Sequence, residues 1–256
     1  GLRENMVPQD ATAVVESANL AELVVDFESF LLEHQLGGQV KLQGNQATFS
    51  LIGKAAHGST PSKGVNAATF LAKYLHRFEF DQEGAESFLH LLADHLHLDF
   101  EGVNLGVAHR DPVMQELTMN VGLVNYQDDK GGSVVANFRY PKGTDPEKMA
   151  AQTAQRLAGH DLSVEWGEFK EPHYVSVDDP MVKELLAVYE EQTGLEGHEM
   201  TIGGGTYGRL MPRGVAYGAL FPDSIDTMHQ ANEFIAIDDL LKATAIYAEA
   251  IYRITR

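Results

Sequence analysis

The chain has 256 residues, 44% hydrophobic and 22% charged, the composition of a folded globular protein with room for one large domain or two smaller ones. Its 37 acidic against 19 basic side chains give a net charge of −18, which argues against nucleic acid or an anionic membrane surface as a partner, since both are bound by clustered Lys and Arg. The absence of cysteine removes disulfides, thiolate nucleophiles and thiolate metal sites together, so any metal must be held by His, Asp or Glu.

The opening GLRENMVPQD has no apolar leader region and no later run is long enough to span a bilayer, so a cytoplasmic location is expected. ATAVVES (11–17) reads as a strand. In LAELVVDFESFLLEHQL (20–36), Leu23, Val24, Phe27, Phe30, Leu31 and Leu36 recur at helical spacing, and Gly37 and Gly38 end the helix. QVKLQGNQATFSLIG (39–53) alternates on both sides of Gly44 and Asn45, which predicts a hairpin. Helices are predicted over 65–78 and 86–96, and ELTMNVGLVNYQ pairs with GGSVVANFRYP across DDKGG as a second hairpin. DPEKMAAQTAQRLAGH (145–160) has an acidic first turn and a glycine near its end, so it reads as a helix, and 161–169 returns as a strand. Up to about residue 170 the pattern is an α+β layer with mainly antiparallel strands. After EPHYVSVDDP it changes to helix (181–193), strand (198–202), strand (215–221) and a final helix (237–254), part of an α/β layer.

Two chemical motifs in this pattern are weighed and set aside. Gly203-x-Gly205-x-x-Gly208 matches a dinucleotide fingerprint in form, but Pro212 would break the helix that must follow it. His97-x-Asp99, with Glu190 and Glu191 further on, has the residue types of a carboxylate-bridged zinc site. However, His97 belongs to a helix end punctuated by His90 and His95, and the two glutamates lie off the apolar face of their helix, so solvated charge is the expectation for all of them.

Five further stretches occur in a fixed order: NMVP (5–8), GKAAHGSTPSKGVNAATFL (53–71), NFRYP (137–141), TIGGGTYGRLMPRGVAYG (201–218) and FPDSIDTMHQANEFIAIDDL (221–240). Together they resemble the zinc metallopeptidase family of the PepV-type dipeptidases, carnosinases, aminoacylases and succinyl-diaminopimelate desuccinylase, with the PepV-type dipeptidases nearest. The resemblance implies an α/β fold in which a lid domain (10–170) is inserted into a catalytic domain, with 1–9 ending that domain's first segment and 171–256 forming its C-terminal part. It implies two zinc ions and a dipeptide substrate. His229 would be the C-terminal zinc ligand, and Glu233 could orient its ring. His57 would reach from the lid to polarise the scissile carbonyl. Arg139 would hold the substrate carboxylate, Asn5 would add an amide donor, and Gly204 and Gly205 would let backbone approach the peptide.

In the family, His-x-Asp and Glu-Glu both precede the lid histidine, whereas here His97 and Glu190 follow His57. The resemblance therefore implies that the N-terminal catalytic segment, with most of the metal ligands, is a partner this chain lacks. Alone, the chain is expected to be inactive and to bind zinc weakly through His229. Two other readings stand beside the dipeptidase: an amidohydrolase of the same family acting on N-acyl amino acids, and a non-catalytic carboxylate-binding module built around Arg139.

Overall fold

Gly44 and Asn45 close the first hairpin. Gln43 pairs with Gln46 in an antiparallel register, which leaves a two-residue turn, and Gly44 sits at φ +62°, where a glycine is unstrained. The computed structural model describes residues 1–203, 205–218, 220–225, 227 and 232–256. These fall into two compact units, Gly1–Glu171 and Pro172–Arg256.

In the first unit, β1 (Asp10–Glu16), β2 (Gly37–Gln43) and β3 (Gln46–Ile52) form an antiparallel sheet in the order β1-β3-β2. The central strand buries every second residue, Ala47, Phe49 and Leu51, so its register is fixed by the face turned to the core. Between β1 and β2 runs α1 (Leu20–Glu33), which buries Phe27 and Phe30. It ends three residues before the predicted limit because Gln35 turns the chain through φ +54°. Helix α2 (Ala67–Leu75) starts at Asn66, whose side chain accepts from the N–H groups of Ala68 and Thr69 at 3.1 and 3.2 Å. Its Tyr74 packs among Phe27, Phe30 and Phe49, and its hydroxyl donates to Leu23 O at 2.6 Å. Each such ring contributes about 2–3 kcal/mol by the apolar area it removes from water.

Helix α3 (Glu83–His90) continues without a break into a wider helical turn, Leu91–Leu96, with π-type hydrogen bonding. After the short strands β4 (Arg110–Asp111) and β5 (Gln115–Glu116), β6 (Thr118–Gln127) and β7 (Gly131–Arg139) form the second predicted hairpin, with a bulge between Val121 and Leu123. Asp145 caps α4 (Pro146–Arg156) by accepting from the N–H groups of Glu147 and Lys148.

In the second unit, α5 (Pro180–Thr193) and α6 (Ile237–Ile254) meet through Leu185, Val188, Ile246 and Ala250. Arg253 is held by Glu184, Glu191 and Glu249. The strands expected at 161–169, 198–202 and 215–221 are not formed among the described residues. An apolar extended segment becomes a strand only when a neighbour completes its hydrogen-bond ladder, and Met200 and Ile202 lie exposed. None of the described helices is long and apolar enough to cross a membrane.

His97 and Asp99 are not the solvated charges expected from sequence. Asp99 is buried and accepts from the backbone N–H groups of Glu101, Val103 and Asn104, organising its own loop. His97 lies edge-on to Phe70 and contacts the Thr69 hydroxyl at 3.2 Å through Nδ1. Burial, reinforced by Lys73 and His34, depresses its pKa from 6.5 to about 4. The unfolded chain then takes up a proton that the folded chain refuses, so the stability tied to His97 is complete above pH 6.5 and is lost as the pH falls towards 4. His97→Phe is expected to flatten the decline of the urea midpoint across that window. An unchanged acid slope would exonerate His97.

Candidate active site

Asn5 and His57 are brought together by backbone pairing. Met6 and His57 form an antiparallel bridge, Gly58 N–H donates to Asn5 O at 2.8 Å, and Val7 N–H donates to Ala56 O at 2.9 Å. The approach is close enough that a Cβ on Gly58 would lie 3.0 Å from Asn5 carbonyl atoms, and one on Gly122 would meet Glu4 O at 2.3 Å. Glycine at 122 lets β6 lie against the first residues of the chain.

Asn120 fastens this arrangement. It is 1% exposed near the start of β6, and its Nδ2 donates to Glu4 O at 2.7 Å and Met6 O at 3.1 Å. Asn66 adds a second tie, donating from Nδ2 to Val121 O at 2.8 Å while it caps α2. The segment bearing Asn5 is therefore pinned on both sides of that residue. The cavity beside it, lined in part by Val7, Asn66, Thr69 and Asn120, holds about 20 Å³, room for one water and not for a dipeptide.

His57 is exposed, and its Nδ1 is occupied by Ser59, whose hydroxyl lies at 2.7 Å and whose backbone N–H lies at 3.3 Å. An amide N–H can only donate, so Nδ1 accepts, and the neutral ring carries its proton on Nε2. His57 thus presents a donor, the species needed opposite an oxygen that gains negative charge.

Arg139 ends β7. It pairs with Thr118, as Asn137 pairs with Asn120. Directly opposed residues share a face, so Arg139 stands on the same face of the hairpin as the clasping Asn120, about 7 Å further along. It is half-buried, and loss of solvent lowers its pKa from the ordinary guanidinium value without removing its charge near neutrality.

In the second unit, Gly205 is exposed and precedes a single turn of 3₁₀ helix, Tyr207–Leu210. That one turn is too short to present a helix N-terminus to a pyrophosphate, consistent with setting the dinucleotide fingerprint aside. Gly204 and His229 lie outside the described residues. No group of three His, Asp or Glu ligands gathers at Asn5, His57 or Arg139 among the described residues. His97 and Asp99 are committed to the core, Glu190 accepts from Gly197 N–H, and Glu191 pairs with Arg253. The described residues thus do not assemble a two-zinc centre. Sequence reading missed Ser59, Asn66 and Asn120; the one local signal was a polar residue inside the apolar run TMNVGLV.

The description of peptidase family M20/M25/M40 matches residues 15–253. The chain belongs to this peptidase family. Among curated relatives it is 44% identical over 256 residues to the Beta-Ala-Xaa dipeptidase of Lactobacillus delbrueckii subsp. lactis, covering 100% of this chain and 54% of that protein. It is 38% identical over 258 residues to a Bacillus subtilis (strain 168) protein named "Putative dipeptidase YtjP", covering 100% of this chain and 54% of the relative. It is also 38% identical over 253 residues to "Putative dipeptidase SH1171" of Staphylococcus haemolyticus (strain JCSC1435), covering 98% and 54%. The chain spans about half the length of the curated relatives it matches. The family resemblance drawn from the five motifs is thus established, and the α/β fold of helices with antiparallel strands accords with it.

Proposed function

We propose that this chain is the lid and C-terminal catalytic part of a zinc-dependent dipeptidase, with residues 10–170 as the lid. The observation that carries the reading is the fixing of His57 Nδ1 by Ser59 beside the clasped Asn5, which leaves Nε2–H as a donor for a substrate carbonyl oxygen. The name of the Lactobacillus relative supports a dipeptide substrate, β-alanyl dipeptides included.

His57 donates to the carbonyl oxygen as charge develops there. Arg139 holds the free carboxylate through two parallel hydrogen bonds, setting the distance from the C-terminus to the scissile bond. Asn5 offers an amide donor next to His57, and Gly204 and Gly205 admit the peptide backbone. His229 would ligate one of two zinc ions, which when bound polarise the carbonyl and activate water.

Turnover of the whole protein on a panel of β-alanyl dipeptides, α-dipeptides and N-acyl amino acids tests this. Chelator-sensitive hydrolysis of the dipeptides is expected to exceed that of the acyl amino acids by at least about tenfold in kcat/KM; both carry the free carboxylate, so the ratio reports recognition of the dipeptide's amino end. Preference for the acyl compounds would make the protein an amidohydrolase, and no hydrolysis of either would leave a carboxylate-binding module.

A further inference from the structure

His90, His95 and His160 offer ring nitrogens that all lie within 4.8 Å of one another, the one such group of three His, Asp or Glu among the described residues. None of the three belongs to the candidate dipeptidase site. The wide turn after α3 creates the first pair. In an α-helix, residues five apart sweep about 500° and end up roughly 140° apart around the axis, whereas the wider turn of five-residue hydrogen bonding brings them to within roughly 50°, onto one face. His90 precedes the widened turn Leu91–Leu96 and His95 lies within it, and their rings are 5.5 Å apart. The third comes from the far end of α4. Gly159 reverses the chain through φ +93°, and His160 arrives with its ring 4.8 Å from that of His90 and 5.6 Å from that of His95.

The electrostatics match a ligand set. His90 Nε2 lies 3.5 Å from Asp94 Oδ2, and Asp94 is itself held by Lys73 and His76, each at 3.2 Å. A carboxylate behind an imidazole is the usual outer partner of a metal-binding histidine, because it fixes the ring and its tautomer. The other nitrogen of His90, Nδ1, is buried with no hydrogen-bond partner, an orphan that a bound ion would satisfy.

We propose that His90, His95 and His160 form a binding site for one divalent transition-metal ion of the zinc class, with Asp94 positioning His90 and the fourth coordination place open. Zinc–nitrogen bonds of 2.0–2.1 Å require nitrogens roughly 3.4 Å apart, so side-chain rotation of about an ångström closes the set. The ion would staple the end of α3 to the loop after α4. The weak zinc binding expected of His229 is a separate property.

Calorimetric titration of Zn²⁺ into the metal-free 256-residue chain tests the site. One equivalent is expected to bind with a Kd on the order of 1 µM and to raise Tm. His95→Ala and His160→Gln should each weaken binding at least about tenfold, and His229→Ala should leave it in place. Far-UV circular dichroism reports whether the variants fold. Should they fail to, ring ¹⁵N shifts in the unmutated protein decide, since zinc must move His90, His95 and His160 together. Absence of binding up to about 1 mM zinc, undiminished binding in the His95→Ala/His160→Gln double variant, or unmoved ring resonances would each overturn the proposal.

Discussion

If the proposed function holds, His57→Ala in the whole protein is expected to lower kcat by about a hundredfold or more while leaving metal content unchanged. The reason lies in which nitrogen is free. Ser59 engages Nδ1 from two directions, so the donor that remains is Nε2–H, and its strongest interaction is with an oxygen acquiring charge, not with the ground-state carbonyl. A loss confined to the transition state appears in kcat, with KM little moved. Metal analysis of the purified variant separates this role from ligation. Loss of the metal, or a retained rate, would remove His57 from the part given to it here.

Arg139→Lys should reduce kcat/KM for free dipeptides on the order of a hundredfold, equivalent to roughly 3 kcal/mol, yet change it little for C-terminally amidated analogues, which the unmutated protein is itself expected to turn over poorly. Lysine keeps the charge but not the planar fork. The half-buried setting at the end of β7 raises the stakes, because a carboxylate drawn into it without its two parallel bonds loses water and gains less in return. Steady-state kinetics on matched free and amidated dipeptides discriminates the cases. Equal losses on both would show that Arg139 supports the hairpin, and unchanged kinetics on both would leave it a bystander.

What the sequence made legible was local. Helices α1 to α6 and both hairpins follow from periodicity, caps and turn residues within a dozen positions of each other, and Gly44-Asn45 marks a turn that the register confirms. Asn5 and His57 come together through backbone pairing, and neither that pairing nor the residues that hold it were readable. Asn120 reaches Glu4 across 116 positions, and nothing near Asn120 in the chain announces that partner. His97 illustrates the opposite error: a histidine at a helix end punctuated by His90 and His95 reads as solvated, and only the fold reveals Phe70 and Thr69 around it. His90 and His95, five apart, look scattered on an ordinary helix and align only through a widened turn that spacing does not encode. The unformed strands have the same cause, since a ladder is a property of two segments and the sequence describes one at a time.

The clasp by Asn120 also sets an order of events during synthesis. Glu4 and Met6 leave the ribosome ahead of β6, and the side chain that pins them belongs to that strand, added more than a hundred residues later. At roughly 5–20 residues per second, the backbone beside His57 waits about 6–23 s for its fastener, while the β2–β3 hairpin has all its parts almost at once. The scaffold of the first unit can therefore begin to assemble well before the corner holding Asn5, and that corner is completed by the translation of β6.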